Sequence, residues 1–135
     1  MMYEQFLIHC ISDYWLQNDY MATNKKKDFR IALLHAVVYT IPFLLLTKSL
    51  LALLTICITH AVIDGTNIVN KLNQLKNLDF NKQYVRDNSI VGGNECIMNI
   101  EDGYTNRPLF IRVWLIILQD NILHLVINYL SLRYL

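Results

Sequence analysis

Cysteine, glycine, proline and charge are all scarce in this 135-residue chain. The three cysteines, Cys10, Cys57 and Cys96, are scattered and odd in number. They make neither a disulfide framework nor a CxxC metal motif, and buried, inert thiols are the expectation. Four glycines leave no phosphate-cradling glycine pattern. Charged residues are 17% of the chain, against about 25% in soluble domains. A formal net charge of +1 supplies no field that would favour nucleic acid. The N-terminal stretch lacks a basic n-region, carries Glu4 early and is interrupted by His9 and Asp13, so it does not read as a signal peptide. No lipidation motif stands at the C-terminus.

What the chain has is apolar length. Hydrophobic residues make up 54% of it. Between Ile31 and Asp64 the only full charge is Lys48, and between Pro108 and Leu135 the only charges are Arg112, Asp120 and Arg133. Segments 41–46 and 50–58 leave no polar stripe to face water, which argues against a soluble bundle. The pattern predicts an all-α fold, a four-helix transmembrane bundle in one membrane domain spanning 1–135. Its helices run over about 2–22, 29–46, 50–72 and 107–134, with a polar loop at 73–106 between the third and fourth. Asp28 and Ser49 are placed to cap the second and third helices, and Pro108 suits the first turn of the fourth. Pro42 is expected to kink or end the second helix. Within the loop, 91–94 and Asp102-Gly103 are candidate turns.

Short-loop basic charge sets orientation. Lys25, Lys26, Lys27 and Arg30 gather after the first helix, and Lys71, Lys76, Lys82, Arg86 and Arg107 between the third and fourth. The other side offers Lys48 and Arg133. The expectation is a multi-pass protein of the inner (cytoplasmic) membrane with both basic connections inside and both termini outside the cytoplasm.

Three dyads lie in the apolar helices: His9-x-x-x-Asp13, His60-x-x-x-Asp64 and Asp120-x-x-x-His124. Residues four apart share a helix face, so each dyad offers an imidazole and a carboxylate to one interior point. The remaining histidine, His35, falls in the second helix. If the first and third helices run together and the fourth opposite, His9, His60 and His124 share one layer and Asp13, Asp64 and Asp120 another, about 6 Å away. Ionisable groups inside a membrane are expensive and mark function by default. Three carboxylates in one apolar core repel one another, and a divalent cation removes the conflict. The imidazole and carboxylate mixture suits zinc first, then manganese or iron, with donors enough for one or two ions. Two other readings stay open: His–Asp hydrogen bonds that join helices, and an ion or proton pathway. Gln17, Asn67 and Asn128 share these faces as polar supports or helix-to-helix contacts.

The run His9-x-x-x-Asp13-x-x-x-Gln17-x-x-x-Met21-Ala22-x-x-Lys25, followed by His35, His60-x-x-x-Asp64 and Asp120-x-x-x-His124, resembles a family of small bacterial and phage membrane proteins described only as a domain of unknown function. The likeness covers all four predicted helices and omits 73–106. Tyr14 and Tyr20 stand where the family has phenylalanine and tryptophan, and neither is a candidate ligand. More loosely, the chain resembles inner-membrane metal-dependent hydrolases, which also place His and Asp in apolar helices.

These readings combine into a metal-dependent hydrolase acting on a lipid-borne or membrane-proximal ester, amide or phosphoester. His9, His60 and His124 are the expected core metal ligands. Asp64, Asp120 and Asp13 are ligands or the general base, and His35 is a fourth imidazole ligand or a proton donor. The alternative is a non-enzymatic membrane module, phage-encoded, that binds a host membrane protein and uses metal as a structural clasp. The expected partners are the lipid bilayer and a membrane protein, with no nucleic acid.

Overall fold

The computed structural model describes residues 2–76 and 108–135. These residues are helical, with no strand among them. Six α-helices follow in order: α1 (Met2–Cys10), α2 (Asp19–Asn24), α3 (Phe29–Thr40), α4 (Leu50–Gly65), α5 (Ile68–Lys76) and α6 (Leu109–Tyr134). The candidate turns at 91–94 and Asp102-Gly103, and Cys96, lie outside the described residues.

Three of the four long helices expected from the sequence are interrupted. The first stops being α-helical at Cys10 and widens into a π-helical turn, Ile11–Trp15. Its signature is the Leu16 N–H donating to the Ile11 carbonyl at 3.0 Å, five residues back. The chain then leaves the helix and restarts at α2, where Asn18 accepts from the Met21 N–H at 2.9 Å as an N-cap. Along the second helix, Pro42 has the effect its chemistry dictates. With no N–H to give, it converts the end of α3 into a 3-10 turn, Ile41–Leu45. The third breaks at Thr66 and Asn67, and α4 and α5 meet at 71°. Residues 73–76 are helical, so α5 runs into the segment expected as loop.

The caps behave as expected. The Asp28 carboxylate accepts from the Arg30 N–H at 2.9 Å, and the Ser49 hydroxyl accepts from the Ala52 N–H at 3.3 Å. Pro108 precedes the first residue of α6.

α6 is long and apolar enough to cross a membrane by itself. Its 26 residues reach about 39 Å at 1.5 Å per residue. The bent pair α4 and α5 passes the same test together, and 29–45 is apolar but shorter. The four separate spans expected from the sequence thus reduce to one helix that qualifies alone.

Helix directions follow from contacts at both ends. Ser49 at the start of α4 donates to the Leu135 carbonyl, whereas Asp64 near its end faces His124, so α4 and α6 are antiparallel. Gln5 reaches the Leu125 carbonyl and His9 reaches Asn121, so α1 is also antiparallel to α6. The parallel first and third helices with an opposed last helix, expected from the dyad order, are present. Packing between α3 and α4 is close because small residues line it: Ala32, Ala36, Ala52 and Ala61 are buried. Ile8, Tyr39, Phe43 and Ile56 form the apolar core.

Burial is inverted relative to a soluble domain. His9, Ser12, His35, His60, Asp64, Asn73, His124 and Asn128 are buried. Trp15, Leu45, Leu50, Phe110, Trp114 and Ile122 are more than half exposed.

Candidate metal centre

Four side chains from three segments converge between α3 and α4: Asp13, His35, His60 and Asp64, all buried. α3 delivers His35, α4 delivers the His60–Asp64 dyad, and the π-helical turn delivers Asp13. That turn matters. It sets Asp13 Oδ1 against His35 of α3, whereas His9 bonds to Tyr39 and Asn121.

The donor atoms crowd one point. His35 Nε2 lies 3.1 Å from Asp13 Oδ1, 3.2 Å from Asp64 Oδ2 and 3.1 Å from His60 Nε2. His60 Nε2 lies 3.2 Å from Asp64 Oδ2 and 3.9 Å from Asp13 Oδ1. Two imidazole nitrogens facing each other hold at most one proton between them, because two N–H groups would collide. One N–H cannot serve three acceptors around it. A tetrahedral metal with bonds of about 2.0–2.1 Å sets its ligand atoms about 3.3 Å apart. Four of the five separations, 3.1–3.2 Å, are close to that spacing and the fifth, His60 Nε2 to Asp13 Oδ1, is wider at 3.9 Å, so a single cation among these atoms would relieve the crowding. The Nδ1 atoms of His35 and His60 are buried without a hydrogen-bond partner, so each ring meets the polar cluster through Nε2 alone. Tyr39 stacks on the His60 ring at 3.6 Å and 18°, holding its plane.

A second group shares Asp64. His124 Nε2 lies 3.4 Å from Asp64 Oδ1 and 3.7 Å from Asp120 Oδ2. Asp64, Asp120 and His124 form a donor set of their own. The Asp120 side chain is 26% exposed, the open edge of an otherwise buried cluster.

His9 is placed differently from the expectation. Its Nδ1 is 2.7 Å from the Tyr39 hydroxyl and its Nε2 is 2.9 Å from Asn121 Oδ1. An amide oxygen only accepts, so Nε2 carries the proton and the Tyr39 hydroxyl donates to Nδ1. Asn128 in turn donates to Tyr39 at 2.6 Å, and Asn121 donates to the Tyr14 hydroxyl at 2.5 Å. Both ring nitrogens are engaged, and His9 belongs to neither donor set. The rings of His9, His60 and His124 do lie together, with centroids 5.9 Å apart for His9 and His124 and 4.2 Å for His60 and His124, while His35, outside that layer, stands between the carboxylates of Asp13 and Asp64.

Sequence reasoning assigned Tyr39 no role, and placed Lys25 in the family run and in a basic turn without a role at the site. Lys25 reads as part of a basic turn, yet its ammonium reaches Asp64 Oδ2 at 2.8 Å and is 15% exposed. The Gln17 amide, with its carbonyl turned to Lys25, accepts from Nζ at 3.1 Å and donates to the Asp13 backbone carbonyl at 2.9 Å. Tyr39 follows His35 by four, the same spacing that exposed the dyads, and that signal could have found it. Asn128, noted on sequence as polar on the His124 face, makes a helix-to-helix contact through Tyr39.

A family described as "Protein of unknown function (DUF3307)" matches residues 1–90 of the 135. No curated protein and no solved structure matches the chain.

Proposed function

We propose that this chain, which belongs to the DUF3307 family, is a multi-pass membrane protein that binds a divalent metal through Asp13, His35, His60 and Asp64 and hydrolyses a lipid-borne or membrane-proximal ester, amide or phosphoester. Zinc is the first choice of metal, with manganese or iron next. The inverted burial supports the membrane setting, since apolar faces turned outward over a polar interior suit hydrocarbon and not water. In that setting the basic residues 25–30 face the cytoplasm of the inner membrane and both termini lie outside it.

The observation that carries the hydrolase reading is the surplus of donors. A structural clasp closes with four protein ligands. Here Asp120 and His124 add to the four, and Asp120 is partly open. A metal in the buried set supplies Lewis-acid polarisation of a scissile carbonyl or phosphoryl group. Asp120, at the accessible edge, is positioned to take a proton from an attacking water, and Lys25 to meet a developing negative charge beside Asp64.

The second reading is the clasp: the buried set alone provides four ligands, which favours a module that docks on another membrane protein. One experiment separates the two. The detergent-purified protein is loaded with zinc or manganese and offered micellar nitrophenyl esters, anilides and phosphoesters, wild type beside Asp120→Asn. Turnover that falls at least about tenfold in the variant, with metal retained at the buried set, is expected of a general base. Bound metal without turnover on any class decides for the clasp.

A further inference from the structure

Asp64 has two carboxylate oxygens, and they face different ways. Oδ2 lies among His35, His60 and Lys25, at 3.2, 3.2 and 2.8 Å. Oδ1 faces His124 Nε2 at 3.4 Å. His124 is 2% exposed, and its Nε2 has no hydrogen-bond partner. A buried imidazole nitrogen held 3.4 and 3.7 Å from two carboxylate oxygens, with no well-made hydrogen bond to either, is an arrangement that a cation among the three would complete. Asp120, one helical turn before His124 on α6, supplies the second carboxylate at 3.7 Å. These atoms lie within 4.8 Å of one another, and His124 meets the Asp64 oxygen that the first donor set does not use.

We propose that Asp64, Asp120 and His124 form a second divalent-cation site, with Asp64 bridging it to the first. This rests on the metal reading given above and extends it from one ion to a pair. Carboxylate-bridged pairs in hydrolytic sites are about 3.5–4 Å apart and hold the attacking and leaving oxygens of a displacement together. The second position is the more accessible one, because Asp120 is its outer ligand. It takes a hard or borderline divalent ion, manganese or zinc, from a set of two carboxylates and one imidazole.

The test is manganese titration of the full chain in detergent, followed by elemental analysis and electron paramagnetic resonance. Wild type is expected to take up about two equivalents and to show an exchange-coupled signal from a bridged pair. His124→Gln and Asp120→Asn are expected to keep one equivalent, uncoupled. One equivalent in wild type, or a second that persists in both variants, overturns the second site while leaving the first standing. No bound manganese in wild type overturns both the pair and the metal reading beneath it. Should the variants lose their helical circular dichroism, the wild-type signal decides alone: a coupled pair upholds the proposal, and isolated ions overturn it.

Discussion

His9 and His60 lie in one polar interior, each 1% exposed, in opposite circumstances. Around His9 every nitrogen has a partner and the chain of bonds closes: Asn128 donates to Tyr39, Tyr39 to His9, His9 to Asn121, and Asn121 to Tyr14. Around His60 the nitrogen faces another imidazole and two carboxylates with too few protons to serve them. A hydrogen-bonded histidine is a piece of structure. A histidine whose nitrogen meets a second imidazole and carboxylates is a candidate ligand. The two ends share Tyr39, whose hydroxyl serves His9 while its ring stacks on His60. The satisfied end thereby orients the donor-rich end.

The comparison breaks most directly at its two histidines. His60→Ala removes one of four donors and is expected to abolish binding at the buried set, whereas His9→Ala keeps the metal. Elemental analysis of both variants decides it, and equal metal loss in the two would erase the distinction. Next in size is Tyr39→Phe. It leaves His9 Nδ1 and the Asn128 amide buried without their partner, for a loss of about 1–3 kcal/mol in stability. Metal content should not change, and a denaturation midpoint measured beside metal content checks both halves of the statement. The smallest effect is expected from Gly65→Ala. A Cβ there meets Phe29 Cδ2 at 2.8 Å and Ala32 Cβ at 3.1 Å. Phe29 is 53% exposed and can swing aside, while Ala32 cannot. At the last residue of α4 the helix gains less than the about 1 kcal/mol that losing an interior glycine brings, which offsets part of the crowding. A slight widening between α3 and α4 then weakens metal uptake by roughly threefold, about 0.7 kcal/mol on the tenfold-per-1.4 scale. The His9 end, which does not depend on that spacing, stays unchanged. A metal titration beside a thermal scan reads the two effects separately.

Much of the site is legible in the sequence because i, i+4 spacing fixes which residues share a helix face. The His60–Asp64 and Asp120–His124 dyads, His35, and the antiparallel last helix follow from spacing and order. The His9–Asp13 dyad misleads for a physical reason. The two side chains take different partners, His9 with Tyr39 and Asn121 and Asp13 with His35, and nothing in residues 9–15 announces the π-helical turn that carries Asp13. Lys25 hides because a lysine in a basic run reads as solvated, and only its long flexible stem and the course of the chain through α2 bring the ammonium to Asp64. Pro42 is the opposite case: a missing N–H is a property of the residue itself, so the end of α3 is legible in the sequence.

By itself the sequence determines a helical chain with ionisable groups set in apolar segments, because periodicity, caps and charge distribution are local properties. The tertiary structure alone decides which nitrogen faces which oxygen. Spacing fixes a side chain's direction within its own helix. The rotation of that helix against its neighbours comes from packing, here the alanines between α3 and α4 and the Tyr39 ring on His60. That rotation separates His9, which bonds, from His60, which is left to bind.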